Sequence, residues 1–162
     1  MFPLLGMATP INPAFSRLTQ VDIRRTSLEL TSAQILALET TAVTLVPAPG
    51  LGFQIVPLFI KMCLLGGSVA YTDAGGAVSI GAGTMTQALS ANTIFLTTVS
   101  PNRKNQWLNW MAAAAGVGIF DTAANPPTED NAALTISKAT NNFAAGNGVM
   151  RVVVWYLVEA TD

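Results

Sequence analysis

The most strongly patterned stretch of the chain is residues 149–159, VMRVVVWYLVE, in which β-branched and aromatic residues predominate. These residue types favour β-strands, in which successive side chains point to opposite faces. One face carries no charge: Met150, Val152, Val154, Tyr156 and Val158. The other is apolar in its middle and charged at both ends: Arg151, Val153, Trp155, Leu157 and Glu159. A strand that is apolar on both faces is covered on both, by a second sheet, a helix or another subunit. Val153, Trp155 and Leu157 are therefore candidates for a subunit interface.

A second long strand is predicted over Phe53–Leu65, as the partner of the C-terminal strand. Its even positions form one apolar face: Val56, Leu58, Ile60, Met62 and Leu64. We expect the first four of these to pair in the core with Val152, Val154 and Tyr156. Pro57 has no backbone N–H to donate, so it marks an edge, a bulge or a bend in this strand.

Shorter strands are predicted where aliphatic and β-branched residues lie between turn residues. They cover residues 26–30, 42–46, 68–72, 77–80, 93–98 and 132–137. Turn residues predict loops over 81–91 and 100–105, and hairpin-type turns at 73–76 and 144–148. Composition leaves residues 107–115 open between helix and strand.

One helix is predicted after the first strand. Residues 31–34, TSAQ, have the form of a capping box, in which Thr31 and Gln34 bond reciprocally. The helix is expected to end near Thr40, with Ile35, Leu36 and Leu38 on its inner side.

These elements together predict the fold class. Many short strands separated by Gly, Pro and Asn, with one short helix, are typical of an antiparallel sandwich or barrel. We expect an all-β protein in which residues 26–162 form an antiparallel, jelly-roll-like β-sandwich.

Residues 1–25 have neither a helical nor a strand period, and we predict that they form an extended N-terminal arm. Prolines interrupt the segment, whereas its apolar content argues against a free tail. Two interpretations carry similar weight: the arm lies on a neighbouring molecule, or it folds back on its own domain. On the first, the partner-binding residues are the apolar and cationic ones: Phe2, Leu4, Leu5, Ile11, Phe15, Arg17, Arg24 and Arg25.

Charge is scarce along the 162 residues: charged residues make up 10%, hydrophobic residues 51%, and the net charge is −1. A soluble domain usually has about a quarter charged residues. We therefore expect a homo-oligomer, with a trimer as the favoured number, in which subunits bury much of the surface. No uncharged apolar run reaches the roughly 20 residues of a membrane-spanning helix. No basic excess indicates nucleic-acid binding.

Several segments, in order, carry a resemblance to a known group. They are LTSAQILAL at 30–38, TLVPAPG at 44–50, IVPL at 55–58, GGSVAYT at 66–72, and NNFAAGNG with the following hydrophobic strand at 141–154. This series resembles small β-sandwich virion proteins of tailed bacteriophages, which are capsid decoration (cement) proteins or trimeric modules of tails and fibres. The resemblance covers residues 30–159, apart from 81–131. It implies a structural role in the virion and brings no catalytic residue.

Residues suited to catalysis are few. The chain has no histidine, the commonest general base and metal ligand. Cys63 lies among apolar residues, where a cysteine usually acts as a small hydrophobe. We therefore expect no enzymatic activity and no cofactor.

Three weaker motifs have structural explanations that we favour. The Gly-x-Gly at 81–83 lacks the third glycine of a nucleotide-binding loop, so a turn is the default. Asp121 with Glu129 and Asp130 matches no calcium-loop spacing, and a solvated loop is expected. Trp107 and Trp110 are more often packing residues, although an exposed pair with the loop at 121–131 would suit a sugar.

Two functions from different classes remain. The first is a decoration protein at the capsid surface, made in the host cytoplasm, that bridges subunits of the major capsid protein or another virion protein. The second is a tail or fibre module that binds a host surface glycan or another virion protein. The arm favours the first, since bridging a shell needs a segment that reaches across it.

Overall fold

The computed structural model describes residues 22–65, 67–73, 75–83, 85–88, 104–109 and 130–161. Within these ranges the chain forms eight strands and one short helix. In order they are β1 (Arg24–Leu30), α1 (Ser32–Leu36), β2 (Val43–Val46), β3 (Phe53–Leu65), β4 (Val78–Ala82), β5 (Met85–Ala88), β6 (Lys104–Asn109), β7 (Leu134–Lys138) and β8 (Val149–Ala160). This short helix is far below the length of a membrane-spanning one, and the described part of the chain contains no helix that could cross a membrane.

The strands form two four-stranded antiparallel sheets, with the orders β1-β8-β3-β6 and β2-β7-β4-β5. The pairing is nested: β4 pairs with β5, β3 with β6, β2 with β7, and β1 with β8. The first four strands thus pair in reverse order with the last four, as in one long hairpin that is wound around itself. The predicted all-β antiparallel sandwich is confirmed.

One core lies between the two sheets. The first sheet contributes the alternate residues of β3 and β8 that point inward, with Ile60 opposite Val154 and Met62 opposite Val152. The second sheet contributes buried residues such as Ile80 and Ile136, which pair across β4 and β7. The predicted partnership of the two long strands is therefore confirmed.

A β-bulge in β3 corrects the predicted inner face of that strand. The register with β8 shifts between Pro57 and Phe59, so Leu58 is the extra residue. A bulge reverses which alternate positions face inward. Ile55 and Pro57 are buried before it, whereas the even positions Ile60, Met62 and Leu64 are buried after it. The expectation that Val56 and Leu58 share the buried face was wrong, while Pro57 does mark a bulge.

The capping box at the start of α1 is confirmed. The Gln34 backbone N–H donates to Thr31 Oγ1 over 3.3 Å, and the Thr31 N–H donates to Gln34 Oε1 over 2.9 Å. Ile35 and Leu38 are fully buried. The helix ends at Leu36 rather than near Thr40. The Leu38 carbonyl instead accepts from the Lys138 N–H at 3.0 Å, which ties the chain to β7.

Two predicted hairpins are absent from the described chain. Residues 68–72 form no strand, because Val69 and Thr72 bond to the segment before β8 rather than to a ladder. The segment at 144–148 is not a hairpin turn, because β7 and β8 lie in different sheets and it crosses between them.

Two predicted loops contain strand. The segment at 81–91, predicted as a loop, holds the end of β4 and the whole of β5, which pair with each other. Lys104 and Asn105, predicted in a turn, begin β6 and pair with β3. Trp107 therefore lies on a strand. The predicted strand at 93–98 lies outside the described residues.

Candidate interaction surface

The outer face of the β1-β8-β3-β6 sheet carries the residues predicted for a subunit interface. Trp155 lies between Arg25 on β1 and Phe59 on β3, and Leu157 lies opposite Val56. Residues paired across neighbouring antiparallel strands share a face, and Val56 lies between the buried Ile55 and Pro57, so this face points away from the core. The surface is thus built by three neighbouring strands.

Val153 differs from the other two predicted interface residues. It also occupies the outer face, between Ser27 and Lys61, but it is only 7% exposed. Trp155 and Leu157 are half-buried. The accessible part of the predicted interface is therefore the end of β8 that follows Val153.

This face is divided into two halves of different character. The apolar half comprises Ile23, Val56, Phe59, Trp155 and Leu157. Phe59 is 51% exposed and Ile23 is exposed as well. Continuing the β1–β8 register by one step places Ile23 opposite Leu157. Exposed apolar side chains gathered on one sheet face are typical of a protein contact site.

The other half of the face is polar. Arg151 and Glu29 form a cross-strand ion pair, with Nη2 and Oε2 3.2 Å apart and both side chains about half exposed. Such pairs contribute less than about 1 kcal/mol to stability. Cys63 lies opposite Arg151 on β3 and is buried, which fits its predicted role as a small apolar residue.

Arg24 and Arg25, predicted at the end of the arm, are the first two residues of β1. The arm prediction extended too far because two charged residues obscured the start of an edge strand. Arg25 lies over the Trp155 ring, with the guanidinium carbon 5.7 Å from the ring centroid. Arg24 pairs with Asp22 at 3.2 Å. The other residues predicted for partner binding, Phe2, Leu4, Leu5, Ile11, Phe15 and Arg17, lie outside the described residues.

Sequence reasoning missed a buried ion pair at the far end of the sandwich. Lys138 Nζ lies 3.0 Å from Asp73 Oδ1, and the two side chains are 0% and 6% exposed. The same ammonium donates to the carbonyl oxygens of Gly75 and Thr140 and lies over the Phe143 ring. The signal was present, since Leu134, Ile136 and Lys138 alternate and share a face. A lysine at a core-facing position requires a buried partner.

Tyr71 closes the same end of the molecule. Its hydroxyl donates to the Gly148 carbonyl oxygen, and its ring meets Phe143 edge-on at 5.7 Å between centroids. Burial raises the pKa of the Tyr71 hydroxyl from 10.0 to about 12, because the phenolate would lose its hydration.

The candidate calcium ligands are only partly described. Asp121 and Glu129 lie outside the described residues, as do Trp110 and most of the loop at 121–131. Asp130 Oδ1 accepts from the Gly52 N–H over 2.8 Å, so this carboxylate holds a loop. Among the residues with described positions, no group of three acidic, cysteine or histidine side chains is placed to hold a metal ion.

Comparisons with known proteins give one weak match. The chain aligns with a chain of the "Cyanophage Pam1 capsid asymmetric unit" at 19% sequence identity and a TM-score of 0.39, over 84% of this chain and 85% of that chain. No protein-family model matches the sequence, and no curated protein matches it. At this identity and TM-score the match establishes neither a shared fold nor a shared function.

Proposed function

We propose that this chain is a structural protein of a tailed-bacteriophage virion, and specifically a capsid decoration (cement) protein with no enzymatic role. The observation that carries the proposal is the apolar half of the outer sheet face. A sandwich that already has a closed core has no internal need for a second apolar surface. Such a surface is accounted for when another subunit covers it.

The proposed assembly is a homo-oligomer, with three copies as the favoured number. Phe59, Trp155 and Leu157 would be buried between subunits, with Arg25 at the edge of the contact. Aromatic residues and arginine are the types enriched at the centres of protein interfaces. The low charge of the chain supports burial of additional surface in the same way.

The strand order fits this proposal. The nested pairing of the eight described strands supports the proposed jelly roll, a fold that occurs in viral capsid domains. The fold also hosts lectins and cupins, so it supports a virion role only together with the surface and the segments that resemble phage virion proteins.

The proposed mechanism is linkage between binding and assembly. A protein that binds only the assembled shell shifts the equilibrium toward the shell, by an amount that grows with its free concentration. Only two residues separate residues 1–21 from Arg24, the start of β1, and fully extended this segment would reach about 70 Å. This is sufficient for an arm to contact a neighbouring capsid subunit.

Deletion of residues 1–20 tests the proposal. The described sandwich begins after this segment, so we expect the truncated protein to remain a folded oligomer that no longer attaches to capsids. The measurement is co-sedimentation of wild-type and truncated protein with shells assembled without this protein. Raised salt should weaken wild-type attachment only in part, because apolar contacts are not screened.

Two outcomes would contradict the proposal. Wild-type protein that does not co-sediment with shells would exclude a decoration role and favour a tail or fibre location. Truncated protein that decorates shells at full occupancy would show that the arm is not the contact.

A further inference from the structure

The loop between β2 and β3, residues 47–52, presents one large aliphatic side chain to solvent. Leu51 at its tip is 81% exposed, the largest value among the exposed large hydrophobic residues that the structure describes. The loop lies at the end of the sandwich where β8 finishes, because Phe53 pairs with Ala160. It is therefore distinct from the apolar half of the sheet face.

Hydrogen bonds hold this loop from both sides. The Gly50 N–H donates to Asn131 Oδ1 over 2.9 Å, and the Gly52 N–H donates to Asp130 Oδ1 over 2.8 Å. The Gly52 carbonyl accepts from the Thr161 N–H at 3.0 Å. Side chains before β7 and backbone after β8 thus fix the two residues that flank Leu51.

The backbone of the loop is a tight turn. The Phe53 N–H donates to the Gly50 carbonyl over 3.3 Å, which makes Leu51 the second residue of a four-residue turn. Gly52 follows with φ of +80°, and Gly50 precedes with φ of +109°. A type II turn requires positive φ at its third residue. Two residues with left-handed backbones therefore project Leu51 outward in one defined direction.

This arrangement is what binding anchors require. A side chain whose backbone is already fixed loses little conformational entropy when it binds. Single apolar side chains that fill a pocket contribute much of the affinity of many interfaces.

Charge around the loop indicates the partner. Asp130 binds the loop directly, and Glu159 lies across the β3–β8 ladder from Gln54. Both acidic residues are exposed, and residues 47–52 contain no basic side chain. A complementary partner surface would combine an apolar pocket with basic groups at its rim.

We infer that Leu51 is a preorganised anchor that inserts into an apolar, basic-rimmed pocket of the virion protein to which this chain attaches. The inference rests on the proposed decoration function. It makes Leu51 a second point of contact with the shell, in addition to the arm. A second copy of the chain would be a different partner. The broad apolar half of the sheet face is better suited to that contact than one projecting side chain.

The first test replaces Leu51 and measures attachment. Leu51→Ser removes the anchor from an exposed position, so the stability of the protein should be unchanged. We expect its affinity for shells assembled without this protein to fall at least about tenfold in co-sedimentation. Val69→Ser is the matched control, because Val69 is an exposed apolar residue at the opposite end, and its affinity should equal that of the wild type.

The second test keeps Leu51 and disturbs only its presentation. Gly50→Ala and Gly75→Ala place a side chain at nearly equal positive φ, +109° and +110°, and in both an added Cβ meets no atom within 4 Å. The two variants therefore carry similar backbone strain. Only Gly50→Ala should weaken attachment, because Gly75 lies in another loop.

A photo-crosslinking residue placed at position 51 identifies the occupant. The expected product joins this chain to a different virion protein. Crosslinks confined to a second copy would overturn the inference, as would equal attachment of Leu51→Ser and wild type. If wild-type protein attached and only the Leu51 inference failed, the decoration function would stand. If wild-type protein did not attach, both would fall.

Discussion

Tyr71 is the residue whose ionisation should affect folding most directly. Its pKa is about 12 in the folded protein and near 10 in the unfolded chain. Below pH 10 both states keep the proton, so the stabilisation is fully present. Between pH 10 and 12 only the unfolded state loses the proton, so stability should fall by about 2 kcal/mol by pH 12.

The Tyr71→Phe variant provides the control for that prediction. It lacks the hydroxyl that donates to Gly148 and should be about 1 kcal/mol less stable than wild type at pH 8. Because phenylalanine does not titrate, the difference should vanish or reverse by pH 12. Urea unfolding of both proteins at several pH values measures this, and a constant difference would contradict the assignment.

Lys138 makes a second residue-scale prediction. Lys138→Met would leave the buried Asp73 carboxylate without its cationic partner and would remove the donor to the carbonyl oxygens of Gly75 and Thr140. Breaking a buried pair usually costs about 3–5 kcal/mol, whereas an exposed pair contributes less than about 1 kcal/mol. Arg151→Met, which removes the half-exposed pair with Glu29, is the matched control. Equal melting temperatures for the two variants would show that the Lys138 pair is not buried.

At the scale of elements, β8 is the strand that pairs with both β1 and β3. Val154 is fully buried and pairs with Ile60 on β3 and Thr26 on β1. Val154→Asp would place an uncompensated charge in the core, at a cost of more than about 4 kcal/mol. We expect insoluble protein on expression. If the Val154→Asp protein were soluble and had the wild-type melting temperature, Val154 could not lie in the core.

The sequence predicted these elements where local pattern decides them. The two long strands, the capping box and the outward positions of Trp155 and Leu157 all follow from alternation or short-range spacing. Val56 was not recognised as an outward-facing neighbour of Leu157. The reason is the bulge, since one extra residue reverses the face of every earlier position in β3.

Long-range contacts account for the other misses. Asp73 and Lys138 meet only because the loop before β4 lies at the end of β7, and no local spacing indicates that. Residues 68–72 have strand composition, yet their backbone groups bond to a loop instead of a neighbouring strand. β-propensity describes a fit to a pleated surface, and such a surface has to be adjacent for a strand to form.

At the scale of the whole molecule, the apolar half of the outer face predicts the assembly state. Wild-type protein at micromolar concentration should sediment as one assembled species, whereas a 16.9 kDa monomer would contradict the proposal. Phe59→Glu should shift the protein toward monomer, because a charge would enter the subunit contact. Val69→Glu introduces the same charge at nearly equal exposure, 49% against 51%, and should leave the assembly intact.

The nested pairing of strands also has a consequence for synthesis of the chain. β1 and β3 leave the ribosome early, but both pair with β8, which is made last among the described strands. At usual elongation rates, the apolar inner faces of β1 and β3 stay without this partner for about ten seconds. Pairing then joins Arg24 to Tyr156 across the sequence, and such distant contacts form slowly, in about milliseconds to seconds. The nascent chain, rather than the finished sandwich, is therefore the form most exposed to aggregation.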